Sequence, residues 1–269
     1  MIVGMAIRFA ASQNSRPAAR LFFISSKCYN TTMEIDFLID IIKHAEQLSG
    51  KDFTVTPKGD NGDLVTTLDL EIEKYIIGQI HEHFPDYDIV SEEFNNTGKV
   101  TDNCFIIDPI DGTVNFANGL PIWGIQIACV KDGQTIASVI DLPRLGELYH
   151  ADESGAYLNG EKISIHEVPI KNTIYSIIGH DSLPDMPETS MSGKYSRNFR
   201  NFGAACATFA FMASGRIHGV VFRVDQPWDY APGLYLCEKA GAKVKNDKNF
   251  HAAAITQEFL DILAEETSA

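Results

Sequence analysis

The stretch Cys104-Phe105-Ile106-Ile107-Asp108-Pro109-Ile110-Asp111-Gly112-Thr113-Val114-Asn115-Phe116 runs from four apolar residues directly into two carboxylates. A short apolar run bounded by turn signals predicts a buried strand, with Asp108 at its carboxyl end. Pro109 fixes φ and turns the chain, so that Asp111, three residues on, comes round to face the same point. Gly112 lets backbone approach closely, and Thr113 adds a hydroxyl near the start of a helical turn.

Further carboxylates lie at element ends on either side. Glu92-Glu93 follows the apolar Ile89-Val90, and Trp228-Asp229 opens a helical stretch that ends at Gly241, with Asp229 as its expected N-cap. Apolar spacing predicts helices over 34–48, 69–84 and 204–213, the second stopped by Pro85 and the third closed by Gly215. Asp63–Thr67 reads as a short strand. From Trp123 to Ile165 the period changes to two. Strand-like stretches at 123–130, 135–140, 147–150 and 156–158 are separated by turn signals such as Lys131-Asp132-Gly133 and Asn159-Gly160, an antiparallel meander. Residues 180–196 are polar and read as a surface loop. Helices and strands recurring around a long antiparallel stretch define a mixed α/β protein with helical layers packed on sheets.

Four carboxylates brought together, Glu92, Asp108, Asp111 and Asp229, repel one another: a single pair at 4 Å costs about 4 kcal/mol at an effective dielectric of 20. Hard divalent cations relieve this, and an all-oxygen set favours Mg²⁺ or Mn²⁺ over zinc. Two such ions roughly 4 Å apart form the clamp used for in-line phosphoryl displacement. A covalent aspartyl-phosphate route of the haloacid dehalogenase type needs an aspartate two residues before the second Asp. Here that position is Pro109.

Composition sets the outer bounds. The 269 residues are 45% apolar and 22% charged, as in an ordinary globular chain, and no apolar run reaches the ~18–20 residues that span a bilayer. A net charge of −14 argues against a broad contact with nucleic acid or an anionic membrane. Five scattered cysteines without a C-x-x-C pair suit a reduced intracellular chain. Residues 1–33 hold Arg8, Arg16, Arg20 and Lys27 and no acid. They read either as a mitochondrial transit peptide or as an over-long N-terminus before Met33, which places the protein in the mitochondrial matrix or the cytoplasm. The expected organisation is a leader over 1–33, a half over 34–145 with most of the carboxylates, and a half over 146–269 with Asp229. His81 and His83, two apart on a helix, share no face and read as surface residues.

Asp108-Pro109-Ile110-Asp111-Gly112-Thr113-x-Asn115-Phe116 and Trp228-Asp229-x-Ala231-x-Gly233 resemble the two signature motifs of the inositol monophosphatase family. Gly203-Ala204-Ala205, Asp63-Leu64-Val65-Thr66-x-x-Asp69 and Lys58 extend the resemblance over about 34–250. It implies an α-β-α-β-α layered sandwich, lithium-sensitive and Mg²⁺-dependent phosphatase activity on a small phosphorylated metabolite with two or three ions, and a homodimer. By the same resemblance Glu92, Asp108 and Asp111 ligate one metal, with the Ile110 carbonyl on a second beside Asp108, and Asp229 completes the cluster with Asp111. The implied catalytic set is Thr113, Asp69 and Glu92, with Thr113 and Asp69 orienting the attacking water. Gly112 and Thr113 amides bind phosphate, and Ala205 lies near the sugar. Two departures stand out. Pro232 replaces an alanine of the second motif, and Phe222, followed by Arg223, stands where inositol-selective members carry a glutamate. Phe222 and Arg223 are therefore candidate substrate contacts that open other substrates: a 3′(2′),5′-bisphosphate nucleotide, fructose 1,6-bisphosphate or histidinol phosphate. The non-enzymatic alternative is a binding partner in a regulatory assembly.

Overall fold

The computed structural model describes residues 31–58, 63–179, 196, 198–223, 226–248 and 250–266. The expected surface loop at 180–196 lies almost wholly outside these residues, as does the leader up to residue 30. The first helix, α1 (Thr31–Leu48), begins three residues before the expected start.

Seven strands form the larger sheet in the order β3-β4-β5-β6-β7-β8-β9. They are β3 (Asp88–Ser91), β4 (Cys104–Asp111), β5 (Gly124–Lys131), β6 (Gln134–Leu142), β7 (Glu147–Asp152), β8 (Gly155–Leu158) and β9 (Glu161–Ile163). Only β3 and β4 run parallel; the rest is the expected meander. The second sheet has the order β11-β10-β12-β14-β13, from β10 (Ile174–Gly179), β11 (Asn198–Phe199), β12 (Gly219–Arg223), β13 (Lys243–Asp247) and β14 (Phe250–Ala254). A hairpin of β1 (Val55–Lys58) and β2 (Asp63–Thr66) stands apart; β1 carries no alternating apolar pattern and was not expected.

Apolar faces set the layers. α1 and α2 (Thr67–His83) lay Leu38, Ile42, Ile72, Ile76 and Ile80 against Phe105, Ile107, Ile127 and Val139 on one face of the large sheet. Between the two sheets sit α4 (Ala205–Ala213) and α5 (Pro227–Lys239). Every residue of α4 is buried, as a helix apolar all round requires. The α4–α5 contact depends on Gly233, where an added Cβ would stand 2.4 Å from Phe209 Cβ. α6 (Gln257–Glu266) covers the far face of the smaller sheet with Phe259, Leu260 and Leu263. The order is helix, sheet, helix, sheet, helix. The expected division at 145/146 falls in the β6–β7 turn, and Ile140 and Leu142 before it share one core with Tyr149 and Tyr175 after it.

Candidate active site

The expected turn after Asp108 is not there. β4 continues through Pro109 to Asp111, and all eight of its residues are buried. Its pairing with β5 shifts instead: Asp108 faces Gln126, and Asp111 faces Gly124. Pro109 and Ile110 on β4 therefore oppose the single Ile125 on β5, a β-bulge. In a regular strand, residues three apart point to opposite faces. The extra residue restores the parity, so Asp108 and Asp111 share a face. Pro109, which has no N–H to offer the ladder, is tolerated at such a bulge.

After Asp111 the chain turns at Gly112, whose φ is 84°. An added Cβ there would stand 2.9 Å from Ala204 Cβ, so glycine lets the start of α3 (Thr113–Ala117) approach α4. The Ala205 N–H donates to Asp111 Oδ1 at 3.1 Å, and the Cys206 N–H donates to Oδ2. The Ala205 amide thus holds a carboxylate while the residue also lines the cleft. Gly124 makes this approach possible, since a Cβ there would stand 2.9 Å from Cys206 Sγ. A glycine inside a predicted strand is the signal that could have revealed it.

Asp69 is locked by a helix cap. Thr66, the N-cap of α2, donates from its N–H (2.8 Å) and its hydroxyl (2.5 Å) to Asp69 Oδ2. The spacing Thr66-x-x-Asp69 is a capping-box signal that sequence reasoning passed over. Asp69 Oδ1 then faces Thr113 Oγ1 at 3.3 Å, and the same hydroxyl lies 2.9 Å from the Ile110 carbonyl. Burial is the main force raising Asp69 to about 6, opposed by the Thr66 hydrogen bonds.

Glu92 is positioned by Glu73, which the sequence did not single out, and by Lys58, which the resemblance included. Glu73, fully buried on α2, accepts from Ser91 Oγ (2.5 Å), Glu93 N–H (2.9 Å) and Phe94 N–H (2.8 Å), and so pins the turn that carries Glu92. Lys58 Nζ, from the hairpin, bridges Glu92 at 2.8 Å and Glu93 at 2.5 Å. Burial opposes the charge of Lys58, but the two glutamates outweigh it and hold the ammonium above its usual range.

Asp229 is the third helical residue of α5, not its N-cap; Gln226 takes that place and Pro227 the first helical position. Pro232 lies inside the helix, which continues through it to Lys239. All four expected ligands are raised above the usual carboxylate range, with burial as the largest cause in each. Mutual repulsion adds to it: Glu92, Asp111 and Asp229 act on Asp108, while Asp111 and Glu92 act on Asp229. Lys58 partly offsets the rise at Glu92, and the α4 amides partly offset it at Asp111.

A cleft of about 620 Å³ opens onto this group; its lining includes Lys58, Asp63, Glu92, Asp111 and Asp229 together with Ile178, Asn201, Gly203, Ala204, Ala205, Phe222 and Gln226. Phe222 reaches the cleft but is only 3% exposed, with its ring 6.2 Å from that of Phe209. It is a core residue with an edge on the cleft, because β12 is buried up to Phe222. Arg223, the last residue of β12, is not among the lining residues. His81 and His83 are exposed, as expected.

The residues suit a hard cation. Their donors are all oxygen, and Asp108 Oδ1 is buried with no hydrogen-bond partner among the described residues. Side chains as placed do not close on an ion: among the described residues no group of three or more His, Cys, Asp or Glu could hold one without adjustment. Lys58, drawn onto Glu92, supplies part of the missing positive charge.

Fold and site together define a layered α-β-α-β-α protein with an acid-walled cleft at the ends of buried strands. The chain belongs to the inositol monophosphatase family, whose model matches residues 28–249. It is 32% identical over 232 residues to the fructose-1,6-bisphosphatase/inositol-1-monophosphatase of Thermotoga maritima, covering 84% of this chain and 90% of that one. It is 34% identical over 197 residues to the inositol-1-monophosphatase of Bacillus subtilis, covering 70% and 74%. The solved structure of the Thermotoga maritima IMPase superposes with a TM-score of 0.77 at 30% identity, covering 86% of this chain and 96% of that one.

Proposed function

We propose that the chain is a Mg²⁺-dependent phosphomonoesterase acting on a small phosphorylated metabolite. One observation carries this reading. Glu92, Asp111 and Asp229 line a single cleft and all repel the buried Asp108, whose Oδ1 has no hydrogen-bond partner among the described residues, and beside them the Thr113 hydroxyl faces Asp69. Glu92, Asp108, Asp111, Asp229 and the Ile110 carbonyl would hold the cations. A hard divalent cation there supplies charge neutralisation and Lewis acidity for in-line displacement at phosphorus.

The chain's own groups do the rest. Thr113 has one proton and two acceptors, the Ile110 carbonyl and Asp69. With its proton drawn to Asp69, the Thr113 hydroxyl accepts a hydrogen bond from water and orients it; as water gives up a proton to Thr113 Oγ1, the hydroxyl's own proton passes to Asp69, which the α2 cap holds in place. Gly112 and Thr113 amides face the phosphate. Asn201 and Gln226 offer neutral hydrogen bonds to the leaving group, and Phe222 offers an apolar edge. A wall without a carboxylate suits a phosphorylated nucleotide or sugar bisphosphate at least as well as inositol 1-phosphate. Lithium inhibition and a homodimer are expected on family grounds.

Phosphate release from inositol 1-phosphate, fructose 1,6-bisphosphate, 3′-phosphoadenosine 5′-phosphate and histidinol phosphate tests the reading. Turnover should vanish in EDTA and return with Mg²⁺. Full activity after chelation and dialysis would refute it.

A further inference from the structure

Gln126 sits in the middle of β5 with no solvent exposure, among apolar neighbours. Register pairs it with Asp108 on β4, which places the two side chains next to each other on one face of the sheet. Its Nε2 donates to Asp111 Oδ2 at 3.2 Å, and that contact sets the amide's orientation, since a carboxylate oxygen can only accept. Oε1 then has no hydrogen-bond partner among the described residues, and neither has Asp108 Oδ1 beside it. Burying an amide in this way is costly, and an apolar residue would fit the strand without the penalty.

The two oxygens of Asp111 are treated differently. Oδ2 accepts from the Cys206 N–H and from Gln126 Nε2. Among the described residues Oδ1 accepts only from the Ala205 N–H, which leaves it one lone-pair direction. We propose that Gln126 is a positioning residue of the cation site: it ties up Asp111 Oδ2 so that this carboxylate is presented through Oδ1 alone, and it sets a neutral acceptor beside Asp108. A glutamate at 126 would be a further negative charge in the cluster, and an apolar residue would leave Oδ2 with the Cys206 N–H and one open lone-pair direction. Monodentate presentation suits Mg²⁺, which demands compact geometry, whereas Ca²⁺ accepts bidentate carboxylates. Gln126 therefore favours Mg²⁺ over Ca²⁺. The inference rests on the cation-dependent reading above.

Titration of the purified protein with Mg²⁺ alone and with Ca²⁺ alone, by calorimetry, tests it without turnover. Gln126→Met removes the amide at near-constant volume. It should weaken Mg²⁺ binding 10- to 100-fold, the usual effect of losing a residue that orients a ligand, while Ca²⁺ binding changes less. The metal-free Tm should stay equal or rise. An Mg²⁺ affinity within twofold of wild type, or equal losses for both cations, would overturn the proposal. Gln126→Glu is the second variant. Its metal-free Tm should fall and saturating Mg²⁺ should recover it; an equal fall with and without Mg²⁺ would mark Gln126 as merely structural. A wild-type chain that binds no Mg²⁺ would overturn the phosphatase reading itself, a result distinct from any change caused by the variants.

Discussion

The two walls of the cleft are built by different physics. On the acid wall, short-range polar devices place the carboxylates one by one: the α2 cap holds Asp69, a bulge in β4 aligns Asp108 with Asp111, and Glu73 and Lys58 hold the turn that bears Glu92. The apolar wall has Ile178, Ala204 and Phe222, positioned by packing between the smaller sheet and α4. Charged groups need directional partners because each orphan is costly, whereas apolar groups need only volume and neighbours. Chemistry should therefore fail sharply when the acid wall is altered, and stability should fail first when the apolar wall is.

The largest effect is expected from Asp229→Asn. Losing one ligand charge should cut kcat/KM about 10³-fold, the several kcal/mol that a charge-stabilising cation site supplies. Burial and repulsion raise Asp229, so its neutralisation should leave the metal-free Tm unchanged or higher. Activity assays beside thermal melts check both. A fall in Tm with little loss of rate would place Asp229 on the packing side of the comparison.

Next comes Thr113→Ala, which should lower kcat by about 10²-fold at unchanged Mg²⁺ affinity, as expected for a group that only orients a proton transfer. Kinetics beside calorimetric Mg²⁺ titration separates the two. If Mg²⁺ binding is lost and the rate per bound ion is kept, the hydroxyl supports the Ile110 carbonyl and not the water.

A smaller effect should appear in the pH profile. Asp69 is raised to about 6 by burial, so below that pH it is protonated and no longer draws the Thr113 hydroxyl as a carboxylate. kcat/KM should fall about tenfold per unit below the midpoint and level off above it. Nearby cations favour the charged form, so the midpoint should move below 6 as Mg²⁺ rises. A midpoint independent of Mg²⁺, or one that persists in Asp69→Asn, would assign the titration to another group.

The smallest effect on chemistry should come from the apolar wall. Phe222→Leu should leave kcat within about threefold and cost about 1–1.5 kcal/mol of stability. Phe222→Glu should melt lower still, because an unpaired carboxylate would be buried beside Phe209. Thermal melts and the four-substrate panel on both variants test this. A hundredfold switch in substrate preference without loss of Tm would show that position 222 reads the substrate directly.

Much of this was legible in the chain itself. Apolar periodicity located α1, α2, α4 and the β5–β8 meander, because a one-sided or buried element must repeat its apolar residues at its own period. Chemistry-bearing side chains were legible as well: Glu92, Asp108, Asp111, Thr113 and Asp229 stand out by type, spacing and place at element ends. What pairs with what was decided only in three dimensions. A bulge is a count of residues against a partner strand, so Asp108 and Asp111 on one face cannot be read from β4 alone. Lys58 on Glu92, Gln126 on Asp111 and the α4 amides on Asp111 join residues 34, 15 and 94–95 positions apart. Local propensity carries no information over such separations. Tertiary packing also decided that Phe222 is largely buried and keeps only an edge on the cleft, since burial depends on what α4 lays across β12.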